Sequence, residues 1–129
     1  MTLVALEERD QRFFEVRVAG PAALLVAKAH KINERAGTNR QSDKDALDVL
    51  RLLRGTETDD VAARYARLLA DERSGEAANA ARDLLETQFG TRAGVGVEMA
   101  IRSAGVLADA EEIAASCEAL LGDLLTALK

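Results

Sequence analysis

The chain has 129 residues, 48% hydrophobic and 30% charged, with a net charge of −5. That balance belongs to folded globular chains rather than disordered ones, and the acidity opposes nucleic-acid binding over the surface at large. No apolar run approaches the ~20 residues that span a bilayer and no signal-peptide pattern opens the sequence, so a cytoplasmic location is expected.

The lone Cys117 excludes an intramolecular disulfide and fits a reducing compartment. Ala and Leu dominate, with one Pro and no Trp, which favours helix. One domain over 1–129 is expected, made of a β element (1–19) and a helical domain (20–129).

In chain order, residues 2–6 (TLVAL) are short and β-compatible. Residues 12–18 (RFFEVRV) alternate, with Phe14, Val16 and Val18 on one face and Phe13, Glu15 and Arg17 on the other. The two segments predict a short hairpin, which is marginal alone and must pack on the helices or join a larger sheet. A first helix follows, with Pro21 in its first turn and Gly37 as its stop. Its apolar side carries Leu25, Ala29 and Ile32, and the opposite side carries cations. The second helix, SDKDALDVLRLLRG, has Ser42 as its N-cap and Gly55 after its last turn.

Thr58 with Asp59 and Asp60 opens the third, with Val61, Tyr65, Leu68 and Leu69 facing inward. The fourth, GEAANAARDLLETQF, turns Ala77, Ala81, Leu84 and Leu85 inward and ends at Gly90. The fifth is weaker, because Gly94 and Gly96 soften its start. In the last helix Ile113, Cys117, Leu120, Leu121, Leu124 and Leu128 form one stripe. The expected fold is therefore mainly α, a helical bundle of about six helices with a short N-terminal β-hairpin.

The densest polar chemistry lies where the first helix turns into the second. Lys28, Lys31 and Arg35 are spaced three and four apart and share a helix face, and Arg40 and Lys44 lie just beyond. These five cations can form a local anion site, or a plain solvated face. Asp45 and Asp48, three apart, face the same way. Asp45 also stands at capping-box spacing from Ser42, so it can serve as a cap. Asp48 has no capping role; it either pairs with Lys28 or Lys31 across the helix hairpin or serves a site.

His30, the only histidine, lacks partners for a metal and is expected in packing; no metal site is expected. Cys117 belongs to the core stripe and is expected to be buried and inert. The glycine-rich GTRAGVG (90–96) lacks the G-x-x-x-x-G-K-[ST] pattern, so an interhelical turn outweighs a phosphate cradle.

The stretch VAGPAALLVAKAHKINERAGTNRQSDKDALDVLRLLRG, about a third of the chain, resembles the segment after the catalytic sheet in AbiEii-type nucleotidyltransferase-like proteins of the abortive-infection and toxin group. There a helix with a K-x-x-A/K-x-x-x-R look precedes an (R/K)-D-x-x-D helix. The matching positions are Lys28, Lys31, Arg35, Lys44, Asp45 and Asp48. The resemblance implies nucleotidyl transfer from a nucleoside triphosphate with Mg²⁺. Lys28 or Lys31 would neutralise triphosphate charge, Asp45 and Asp48 would orient that lysine or the acceptor, and Lys31, Arg35, Arg40 and Lys44 would bind substrate.

The family's metal-holding part is a Gly-Ser or Gly-Gly turn with paired acids. Residues 1–20 contain no Gly-Ser or Gly-Gly turn and no Asp-x-Asp pair. The expectation is thus a C-terminal helical portion, inactive alone, needing no cofactor of its own and partnered by a catalytic half or another chain. The alternative is a free-standing interaction module, self-associating as a homodimer through the strand edge or the last helix. Nucleic-acid binding is disfavoured by the net charge and by only 3% aromatic residues.

Overall fold

The computed structural model describes residues 20–34 and 42–129. The expected hairpin over 1–19 lies outside them, as do Arg35, Gly37 and Arg40.

Six helices stand among the described residues: α1 (20–34), α2 (Ser42–Gly55), α3 (Thr58–Ala70), α4 (Gly75–Phe89), α5 (Val95–Ala104) and α6 (Ala110–Ala127). Every expected helix is present, including the weak fifth, and none is long and apolar enough to cross a membrane. All six feed one apolar core. Leu25 and Ile32 of α1, Leu50 of α2, Tyr65 of α3, Leu85 and Phe89 of α4 and Leu121 of α6 are each at most 1% exposed. Each buried Leu, Ile or Phe contributes about 1.5–3 kcal/mol, so these side chains hold the helices together.

Among α3 to α6, helix α2 packs most extensively against α5. Of the expected α6 stripe, Ile113, Cys117, Leu121 and Leu124 are buried in this core, and Leu120 and Leu128 are half-buried against it. Asp109 caps α6 by accepting the Glu112 backbone N–H at 3.1 Å.

Of the expected inward residues of α4, Ala81 and Leu85 are buried and Leu84 is half-buried against the core, whereas Ala77 is exposed; Ala78, Gln88 and Phe89 are buried as well. Two hydrogen bonds hold this side of the helix inward: the Tyr65 hydroxyl donates to the Ala78 carbonyl at 2.7 Å, and Gln88 donates to Ala29 of α1 at 2.9 Å. Burial raises the Tyr65 pKa, keeping the phenol a donor.

The glycines between α4 and α5 have a packing reason. A Cβ on Gly96 would lie 2.6 Å from the Phe89 ring, and one on Gly94 would strike the Gln88 carbonyl oxygen. Close approach thus explains both residues, in accord with the interhelical-turn reading.

Candidate functional site

The site begins with the angular arithmetic of α1 and α2. At 3.6 residues per turn, Lys28 stands about 70° from the middle of the Leu25–Ala29–Ile32 stripe, and Lys31 roughly 130°. The lysines are therefore not on a common opposite face. Lys28 occupies the shoulder of the apolar stripe, its side chain 20% exposed, and Lys31 stands further out at 45%.

On α2 the core stripe is Ala46, Val49, Leu50 and Leu53. Asp43 and Asp45 fall on its two opposite shoulders. From Asp45, each step of three residues turns about 60° round the helix, so that Asp48 and Arg51 flank the side opposite the core stripe. Side-chain exposure rises along that series from 10% to 29% to 65%.

The two shoulders meet in an alternating chain of charge. The Lys28 ammonium donates to Asp45 Oδ1 at 3.0 Å and to Asp48 Oδ2 at 3.2 Å. Lys31 Nζ lies 3.4 Å from Asp45 Oδ2, and Arg51 lies 3.7 Å from Asp48 Oδ1. The order is Lys31, Asp45, Lys28, Asp48, Arg51, with contacts loosening away from the inner pair. Three cations face two carboxylates, leaving one net positive charge in an acidic chain.

The ionisation follows. Partial burial opposes charge on Lys28, but hydrogen bonds to Asp45 and Asp48 and their charges outweigh it and raise its pKa. Burial likewise opposes charge on Asp45, and Lys28 with Lys31 reverses the balance and lowers its pKa. Lys28 is thereby held as an ammonium, suited to neutralising an anion and unsuited to accepting a proton.

A depression of about 330 Å³ opens beside the chain, lined by Leu24, Lys28, Asp48, Arg51 and Leu52. Lys28 and Asp48 therefore share a cavity as well as an ion pair.

Of the expected site residues, Lys28, Lys31, Asp45 and Asp48 come together. Lys44 does not join them: it is exposed on α2 and pairs with no described residue. Arg35 and Arg40 lie outside the described residues, as does the Ser42 side chain. Asp45 gives its carboxylate to the two lysines, and Asp48 takes the expected pairing across the helix hairpin.

The positioning devices were harder to see in the sequence. Arg102 of α5 grips Asp43 with two hydrogen bonds of 3.1 Å, fixing the start of α2 against α5. Those bonds, with the Asp43 charge, raise the Arg102 pKa. Gln88, 3% exposed, ties α4 to the backbone of α1 one residue from Lys28, and its Oε1 accepts no hydrogen bond among the described residues. His30 donates from Nε2 to the Ala77 carbonyl at 2.9 Å, a second tie between α1 and α4. The signal for Gln88 was its place at core spacing beside Leu85 and Phe89; for Arg51 it was the i, i+3 step from Asp48.

Cys117 is fully buried, which pushes its thiol up to about 11 and makes it a poor nucleophile. No family model, no curated protein and no solved structure matches the chain.

Proposed function

We propose that this chain is the helical part of a nucleotidyltransferase-like protein, presenting Lys28, Asp45 and Asp48 to a nucleotide and acceptor site completed by a catalytic half. The observation that carries this reading is the Lys28 ammonium, held between two carboxylates at 3.0 and 3.2 Å and bordering an open depression. A cation fixed in this way needs little rearrangement to meet negative charge developing on a transferring phosphoryl group. Asp45, the more buried carboxylate, anchors the ammonium from below; Asp48, nearer solvent, sets its direction at the rim.

The chemistry of the donor set does not fit a resident Mg²⁺. Asp45 and Asp48 are bridged by a lysine, and no group of three His, Cys, Asp or Glu among the described residues could hold a metal ion. On this reading the metal-holding carboxylates are supplied by the catalytic half, and transfer activity requires both parts. The rival role is an interaction module self-associating through the strand edge or the last helix; the strand edge lies outside the described residues, and α6 buries Ile113, Cys117, Leu121 and Leu124 in the chain's own core.

Titration of the full chain with a nucleoside triphosphate, followed by backbone amide shifts, tests the proposal. Changes concentrated in 24–31 and 45–52, and lost in Lys28→Met, are expected. Shifts that are absent, or that persist unchanged in Lys28→Met, defeat it.

A further inference from the structure

Lys28 has three N–H donors, and two are used by Asp45 and Asp48, leaving one without a partner among the described residues. Arg51 lines the same depression with its side chain 65% exposed, and its contact to Asp48 is 3.7 Å, too long for a hydrogen bond. Its planar fork of five donors is therefore almost entirely unspent, in the geometry that suits a phosphate. Leu24 and Leu52 supply apolar wall to the same hollow.

Resting on the reading above, we infer that Arg51 is a phosphate-binding residue of this site, receiving an oxyanion of the triphosphate in the depression beside Lys28. Two cations there face one carboxylate, so the hollow attracts an anion although the whole chain is acidic. Asp48 limits where that anion can sit. It repels an oxyanion from the Lys28–Asp48 contact and leaves the Arg51 side as the favourable place. Arg54, one residue triplet further on, offers no such opening, because its guanidinium already bonds Glu112 at 2.6 Å and Ser116 at 3.1 Å.

The probe is inorganic triphosphate, titrated calorimetrically into the full chain at low ionic strength, with a nucleoside triphosphate as a second arm. Arg51→Gln should weaken triphosphate binding at least fivefold, Asp48→Asn should tighten it, and Arg54→Gln should leave it unchanged. Equal loss in both arms marks the phosphates as the recognised group; a loss confined to the nucleoside triphosphate assigns Arg51 to the nucleoside and overturns the inference.

If Arg51→Gln binds triphosphate as the parent does, the inference falls. The wider proposal survives that result provided Lys28→Met still abolishes binding. If the parent chain binds no triphosphate, the inference also falls, and the amide-shift titration separately decides the wider proposal. Circular dichroism of each variant guards against misfolding. Arg51 is a solvent-side residue, so its substitution should leave the helices intact.

Discussion

Two of the ionic clusters on helix α2 share a chemistry and differ in depth. Near its start, Asp45 and Asp48 meet Lys28 on α1, with side chains 10%, 29% and 20% exposed. At its end, Arg54 meets Glu112 of α6 at 2.6 Å, with side chains 40% and 57% exposed. The second contact is shorter, yet it is the weaker contributor. Water solvates both of its partners when the pair opens, so an exposed pair is worth about 0–1 kcal/mol whatever its length. In the first cluster the carboxylates are partly desolvated, and losing the cation leaves two negative charges facing each other. Depth rather than distance separates the two clusters, and the half-buried one keeps one surplus positive charge and spare donors.

Removing the shared cation is the sharpest way to break the contrast. Lys28→Met keeps the aliphatic stem and deletes the charge, leaving Asp45 10% exposed beside Asp48 with only Lys31 and Arg51 to compensate. A loss of about 1–3 kcal/mol in urea-unfolding stability is expected, less than the ~3–5 kcal/mol of a fully buried broken pair. A change indistinguishable from zero would place the cluster with the exposed one.

The pH profile sharpens it further. Asp45 has a folded pKa below its ordinary 3.8, so its contribution is present above that value and fades as pH falls through the folded one. Lys28 has a folded pKa above its ordinary 10.5, so its contribution is complete below that value and is lost as pH rises through the folded one. The stability difference between the parent chain and Lys28→Met should therefore be level between about pH 5 and pH 10 and shrink at both ends. A difference that varies steeply near neutral pH would contradict both directions.

The elements were legible because helical periodicity is strong in this chain. The core sides of α1 and α6, with Leu25, Ala29 and Ile32 and with Ile113, Cys117, Leu121 and Leu124, follow directly from their spacing. On α4 the spacing places Ala81 and Leu85 correctly and fails at Ala77, because alanine is permissive: Ala77 and Ala78 satisfy the pattern equally, and the choice rests on hydrogen bonds that reach Tyr65 of α3 and Ala29 of α1.

The cluster was half legible. Spacing of three and four placed Lys28, Lys31, Asp45 and Asp48 on faces that could meet, and they do. It could not order them by depth, since that depends on where each helix turns its stripe. For the same reason spacing groups Lys44 with cations that it does not meet, and it does not single out Arg51. Arg102 was invisible as a clamp because its partner, Asp43, is 59 residues away in sequence.

The smallest effect tests the other half of the comparison. Arg54→Gln removes the charge from the α2–α6 cluster while keeping a long polar side chain that can still reach Ser116. Glu112 keeps the Ser116 hydroxyl, which donates to it at 3.1 Å, and remains in the first turn of α6, where the helix dipole favours a carboxylate. The pair is exposed, so the expected loss is about 0.5 kcal/mol or less, and it should vanish at about 1 M salt, where the screening length falls to ~3 Å. The Lys28→Met loss should persist under the same conditions, because partly buried charges are screened far less. Unfolding both variants in urea with and without salt compares the clusters directly. If salt erased both losses alike, the difference in depth would have no energetic meaning, and the idea that α2 keeps one preorganised ionic site and one solvated one would fail.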